Sequence, residues 1–250
     1  MITGYEVVDE VLRGVSDPAG LQSAARARLE AETKEVGFSD AKLQALMGEP
    51  TAQLLALRSI LAADLVAVGA GHIRGLRRFL LGSVADRLLR NPGPPLLMVR
   101  RSPEQGTFRR ILAAVEYTDR VCLPLDFAAP LAHHLQAELI ALNVLPAAGY
   151  VSDEHRVVFD PEREARRLTH TLEALHPSIS GQVVLRRGDP TEVIPEVAQS
   201  LGADLVVVGA ERQPDGWPGR VTDRVARAEL PAVLIVWPPA GGEGRSPIPG

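Results

Sequence analysis

The feature that most limits what this chain can fold into is that it repeats itself. Residues 48–70 read GEPTAQLLALRSILAADLVAVGA, and residues 188–210 read GDPTEVIPEVAQSLGADLVVVGA, 140 positions later. Further on, GSVADRLLR from Gly82 recurs as GRVTDRVAR from Gly219, and PPLLMVR (94–100) recurs as PAVLIVW (231–237), both at an offset of 137. The second copy is therefore three residues shorter between Gly209 and Gly219. Self-similarity at one long period means that a single supersecondary unit is used twice.

Each copy follows the same pattern. Gly-Glu/Asp-Pro-Thr closes a strand and opens a helix, with proline near the first helical position, where its missing N–H costs nothing. About a dozen helical residues lead to Ala-Asp-Leu and a short apolar run, LVAVG or LVVVG, which reads as a buried strand. A Gly-rich loop, an amphipathic helix and a final apolar strand follow. Strands alternating with helices imply right-handed crossovers and a parallel sheet.

The second copy also carries the beginning of the unit. Ile111–Val115 reads as a strand, 119–135 as a helix in which Pro130 marks a kink or a fray, and Leu139–Leu145 as a second strand. A polar loop, a helix at 161–175 and a strand ending at Arg187 complete five strands and four helices. Applied backwards, the offset puts the first copy's opening strand before Met1, and residues 1–5 align with the tail of strand two. The first copy is thus expected to lack strand one, helix one and most of strand two, and upstream residues are expected to complete it. The division expected from the repeat is an incomplete domain over 1–101, a linker over 102–108, a complete domain over 109–238 and a disordered tail over 239–250.

Composition agrees with two α/β domains. Of 250 residues, 46% are apolar and only 4% aromatic, so Val, Leu, Ala and Ile must fill the interior, which favours buried parallel strands covered by helices. A net charge of −4 with pI near 5.9 argues against a nucleic-acid partner, which calls for a basic surplus. Cys122 is the only cysteine, so the chain cannot form an internal disulfide or a Cys-based zinc site. His133 and His134 are adjacent and so do not face one another on a helix, and no metal site is expected. Neither a signal peptide nor an apolar stretch of spanning length is visible, which makes the cytoplasm the default compartment.

The stretch ADLVAVGAGHIRGLRRFLLGSVADRLLRNPGPPLLMVR, from Ala63 to Arg100, resembles the end of a universal stress protein domain. There a strand runs into a Gly-x-x-Gly-x9-Gly-Ser/Thr loop and a helix. Residues 109–238 look like a complete domain of the same family. The resemblance implies two Rossmann-like domains of the adenine nucleotide alpha hydrolase kind. It also implies a regulatory, stress-response role with ATP or another adenine nucleotide as ligand. Glycines let successive N–H groups approach a phosphate closely, and a serine hydroxyl adds a donor.

Carried over by residue, copy one matches the phosphate motif at Gly69, Gly82 and Ser83, with Gly71 and His72 where the second glycine is expected. Copy two matches the base and ribose side at Glu116, after strand one, and Val144, beside Asn143 on strand two. Its loop GAERQPDGWPGR keeps Gly209 and Gly219, but is short and has Arg220 in place of the Ser/Thr. That loop reads as degenerate. No Ser-His-acid arrangement surrounds Ser83, and GSVA is not a nucleophile elbow, so a binding protein is favoured over a catalyst. A nucleotide hydrolase on the same fold and a pair of protein-binding pseudodomains are the alternatives. The apolar closing strands, 95–99 and 232–236, are expected at sheet edges, pairing with each other or across a dimer.

Overall fold

The computed structural model describes residues 3–8, 17–35, 37, 41–70, 82–102, 106–116, 123–145, 160–175, 181–211 and 213–239. The expected tail from residue 240 onward, Cys122, Gly71 and His72 lie outside the described residues. The chain divides into two compact units, Met1–Ala63 and Asp64–Gly250. The cut falls inside the first repeat copy, so the second half of copy one is grouped with copy two.

In the first unit, β1 (Thr3–Val8) and β2 (Lys42–Met47) pair in parallel, in register from Thr3↔Lys42 to Val8↔Met47. Helix α1 (Pro18–Glu35) supplies the crossover that a parallel pair requires. The strand expected over residues 1–5 runs further, to Val8. On the other side of the helix, the Gln22 amide donates to the Ala45 carbonyl at 2.6 Å. Helix α2 (Pro50–Ile60) then starts as its sequence predicts. Gly48 turns the chain at φ 128°, Glu49 accepts from the N–H groups of Thr51 and Ala52, and Pro50 takes the first position.

The second unit holds β3 (Val66–Gly69), α3 (Ser83–Leu89), β4 (Leu96–Val99), β5 (Arg110–Val115), α4 (Leu123–Leu135) and β6 (Glu138–Leu145). It continues with α5 (Pro161–Leu175), β7 (Gly181–Arg187), α6 (Pro190–Ser200), β8 (Leu205–Gly209), α7 (Arg220–Arg227) and β9 (Ala232–Val236). Seven strands form one sheet in the order β3-β4-β9-β8-β5-β6-β7. All neighbours are parallel except β4 and β9. The chain winds from β5 out through β6 to β7, and on the other side through β8 to β9, which is the doubly wound order expected of the complete copy.

The interior is built from the short aliphatic side chains that the composition left available. Ile111, Leu139 and Leu205 are fully buried and pack with Leu125, Ala128 and Ala129 of α4. Helix α4 continues through Pro130 rather than stopping there. The second Gly-x-Pro-Thr turn repeats the first: Gly188 at φ 143°, Asp189 capping the N–H of Thr191, and Pro190 opening α6. Asp204, read from sequence as a local hydrogen-bonding residue, accepts from the backbone N–H groups of Arg109 and Arg110 at 2.8 and 3.0 Å. It thereby fixes the start of β5 against the start of β8.

The closing strands are not at the edge of this sheet. They pair with each other antiparallel, Leu96 opposite Ile235 and Val99 opposite Ala232, while β3 and β8 fill their other sides. An apolar edge strand is removed from solvent by joining it to its own repeat, so the sheet of one copy continues into that of the other. Among the described residues, no helix is long and apolar enough to cross a membrane.

Candidate functional site

In an open parallel sheet, ligands bind beyond the carboxyl ends of the strands, where the winding reverses. In copy two that place is between β5 and β8. Topology gathers Glu116, just past the end of β5, with Asn143 and Val144 near the end of β6 and Gly209 at the end of β8. Asn143 is buried at 2% exposure, opposite Val115, and its Nδ2 donates to the Val115 carbonyl at 3.0 Å. Among the described residues its Oδ1 has no partner. A buried amide oxygen left in this way costs about 1–3 kcal/mol, so a donor at this position would be favoured. Glu116 itself is exposed.

The phosphate side of copy two is closed by its own hydrogen bonds. Ala210 N–H donates to Val236, Glu211 N–H to Pro218, Gly216 N–H to Gln213, and Trp217 N–H to the Asp215 carboxylate. The Thr222 hydroxyl donates to the Gly209 carbonyl. Arg220, which stands where a Ser/Thr is expected, reaches Asp189 at 2.6 Å. Asp189 lies below the usual carboxylate range because the Thr191 N–H and hydroxyl bind it, with Arg220 adding to them. The Glu211 carboxyl group lies beside Gly219. Four of the loop's N–H groups are thus already bonded, and a carboxylate stands beside the helix cap, both of which disfavour a phosphate here.

The loop is instead fastened to copy one. The Arg90 guanidinium, at the end of α3, sits 5.2 Å from the centroid of the Trp217 ring. Gly216, at φ 76°, lies so close to the Arg90 carbonyl that a Cβ would stand 2.2 Å from its oxygen. Alongside, Arg227 of α7 binds both Asp86 of α3 and Asp223, and Arg100 donates to the Ala226 carbonyl. None of these contacts was evident from sequence. The signal that could have found them is a tryptophan and two prolines inside a loop shortened by three residues.

The Asp86 carboxyl group shows how firmly this junction is held. Burial would raise its pKa, but the hydrogen bond and charge of Arg227, with Arg90 assisting, hold it below the ordinary value of 3.8. A carboxylate depressed in the folded state contributes stability that is present above its unfolded pKa and lost as pH falls through the folded one. Thermal melts taken from pH 6 down to pH 3 are expected to show the stabilisation fading below about 4. Asp86→Asn should be flatter over that interval. Equal slopes for the two proteins would remove Asp86 from the account.

Copy one presents the opposite arrangement. Gly69 ends β3, Gly82 caps α3 and Ser83 is its first residue. Among the described residues, a Cβ at Gly69 or Gly82 would meet no atom within 4 Å. No side chain of the described residues caps α3 at Gly82, and none caps α7 at Gly219. Among the described residues, no group of three His, Cys, Asp or Glu side chains is placed to hold a metal. His133 and His134 are exposed on α4.

The sequence matches the universal stress protein family over residues 4–100 and again over 107–236. The chain belongs to the universal stress protein family. Solved structures agree on the fold of the tandem universal stress protein. A universal stress protein from Archaeoglobus fulgidus DSM 4304 is 18% identical at a TM-score of 0.66, covering 92% of this chain and 84% of its own. A putative universal stress protein from Pseudomonas aeruginosa UCBPP-PA14 is 21% identical at 0.65, covering 93% and 82%. A functionally unknown protein from Pseudomonas aeruginosa PAO1 is 21% identical at 0.67, covering 94% and 82%. No curated protein matches the chain.

Proposed function

We propose that this tandem universal stress protein is a regulatory binding protein of the stress response, and that an adenine nucleotide is its ligand. The family match over both copies supports the role. The observation that supports placing the phosphate end in copy one is the contrast between the loops. Among the described residues nothing crowds Gly69 or Gly82, whereas four N–H groups of the loop from Gly209 to Gly219 are taken up within copy two. Phosphate is therefore assigned to Gly69, Gly82 and Ser83, together with Gly71 and His72 of the intervening loop. Glu116, Asn143 and Val144 keep only the base side, and Gly209 and Gly219 serve copy two's own packing. ATP is one candidate nucleotide. Turnover is not part of this reading, because the sequence shows no Ser-His-acid arrangement around Ser83. The protein is assigned to the cytoplasm.

Mass spectrometry of small molecules carried through purification, followed by calorimetric titration with AMP and ATP, tests the reading. Ser83→Ala should weaken binding by about tenfold, the worth of one hydrogen bond of about 1.4 kcal/mol. Copy two alone, residues 107–240, should fold but bind ATP more weakly than about 1 μM. A chain without retained nucleotide and without heat on titration would leave the protein-binding pseudodomain pair as the reading. Steady release of phosphate, lost in Ser83→Ala, would favour the hydrolase.

A further inference from the structure

We infer that Asn143 selects the base, its Oδ1 accepting from the exocyclic amino group of adenine, a role that rests on an adenine nucleotide being the ligand. Strand β6 reads ELIALNVL, and Asn143 interrupts a run that is otherwise apolar from Leu139 to Leu145. The residue is buried, where an amide must find hydrogen-bond partners or lose free energy. Its Nδ2 has one, the Val115 carbonyl directly across on β5, at 3.0 Å. That bond settles which end of the amide is nitrogen, because an oxygen there would face a carbonyl oxygen. The other end is therefore the acceptor, and it has no partner among the described residues. The other polar side chains buried in this unit are satisfied: the Thr191 hydroxyl donates to Asp189 and the Thr222 hydroxyl to the Gly209 carbonyl.

The amide stands where a base would enter. Val115 is the last residue of β5 and is buried, whereas Glu116, next along the chain, is exposed. Val144, next to Asn143, is half-buried. Asn143 thus lies just inside the carboxyl ends of β5 and β6, beside the point where the winding reverses and ligands bind. What the oxygen recognises follows from its chemistry. A neutral acceptor takes an N–H donor, and adenine carries one in its exocyclic amino group. Hypoxanthine has a carbonyl oxygen at the same position, so two acceptors would face one another. Oδ1 has no surface open to bulk water, so a base reaches it only by seating between the strand ends, where water cannot stand in for a missing donor. A site built to bond a ligand's amine rejects the analogue without it, because its own buried acceptor is then left unpaired.

Calorimetric titration of the full chain with AMP and with IMP is the test. AMP should bind at least about tenfold more tightly, the consequence of leaving one buried acceptor unpaired in the other complex. Asn143→Leu nearly keeps the volume and removes the acceptor, and should bring the two nucleotides within about threefold of each other. The ratio is the readout, because a merely structural loss weakens both nucleotides alike. Should that variant fail to fold, the isotope-labelled wild-type chain decides: the side-chain amide signals of Asn143 should shift several times further at saturating AMP than at saturating IMP. Equal affinity of the wild type for AMP and IMP would overturn the inference and leave the nucleotide reading standing. A preference for AMP that Asn143→Leu retains would do the same, as would Asn143 signals that respond equally to both. Binding of neither nucleotide would overturn the nucleotide reading and the selection by Asn143 with it.

Discussion

Gly216→Ala is expected to lower the melting temperature by roughly 5–15 °C, although the substitution adds one methyl group to an exposed loop. At φ 76° an alanine is strained before it touches anything, at about 1–3 kcal/mol. The new Cβ would also stand 2.2 Å from the Arg90 carbonyl oxygen. That oxygen belongs to backbone, and Arg90 is pinned at the end of α3 by its own N–H to Asp86, so neither side can yield cheaply. A combined cost of roughly 2–4 kcal/mol corresponds to that fall for a domain of this size. Trp217→Ala is the control. It removes a half-buried ring with its contact to the Arg90 guanidinium, a contact of about 0.5–2 kcal/mol, but adds no backbone strain, and should shift the melt by a few degrees. If Gly216→Ala moves the midpoint no further than Trp217→Ala, the loop is not held against α3.

The parts of this fold that could be read from sequence are those encoded within one copy. Gly48-Glu49-Pro50-Thr51 and Gly188-Asp189-Pro190-Thr191 announce a positive-φ glycine, a carboxylate cap and a helix start within four residues, and both turns form in that way. The five apolar runs of copy two were legible as strands, while their order in the sheet is what the resemblance to the family implies. Contacts between copies left no local pattern. The pairing of Arg227 with Asp86 spans 141 positions, and the apposition of Gly216 to Arg90 depends on where two loops meet in space. For the same reason, the absence of a serine from the loop of copy two was visible, but its new attachment was not. The closing strands were expected to pair with each other or across a dimer, and they pair with each other. They were misplaced at an edge because each copy was considered as a separate sheet. On the site, Gly69, Gly82 and Ser83 were legible as a motif because they lie within one copy.

Ile235→Lys should be among the most damaging single substitutions in the chain, and it measures whether the two copies share one sheet. Ile235 is fully buried and lies opposite Leu96 across the antiparallel pair. A lysine there must carry an ammonium into the interior or lose its proton, and an unpaired buried charge costs about 3–5 kcal/mol. The melting temperature should drop by roughly 10 °C or more. Leu97→Lys is the informative comparison, because Leu97 is only half-buried. Its long stem can lie along the surface while the head reaches water, so the loss should be well under half as large. Were β9 an ordinary edge strand with solvent on one side, its residues would tolerate lysine as Leu97 does. Similar melting temperatures for the two variants would therefore mean that β4 and β9 do not pair in solution. A large difference, with the fragment 107–240 still melting cooperatively, would show that the pairing joins two sheets of which the second stands without the first.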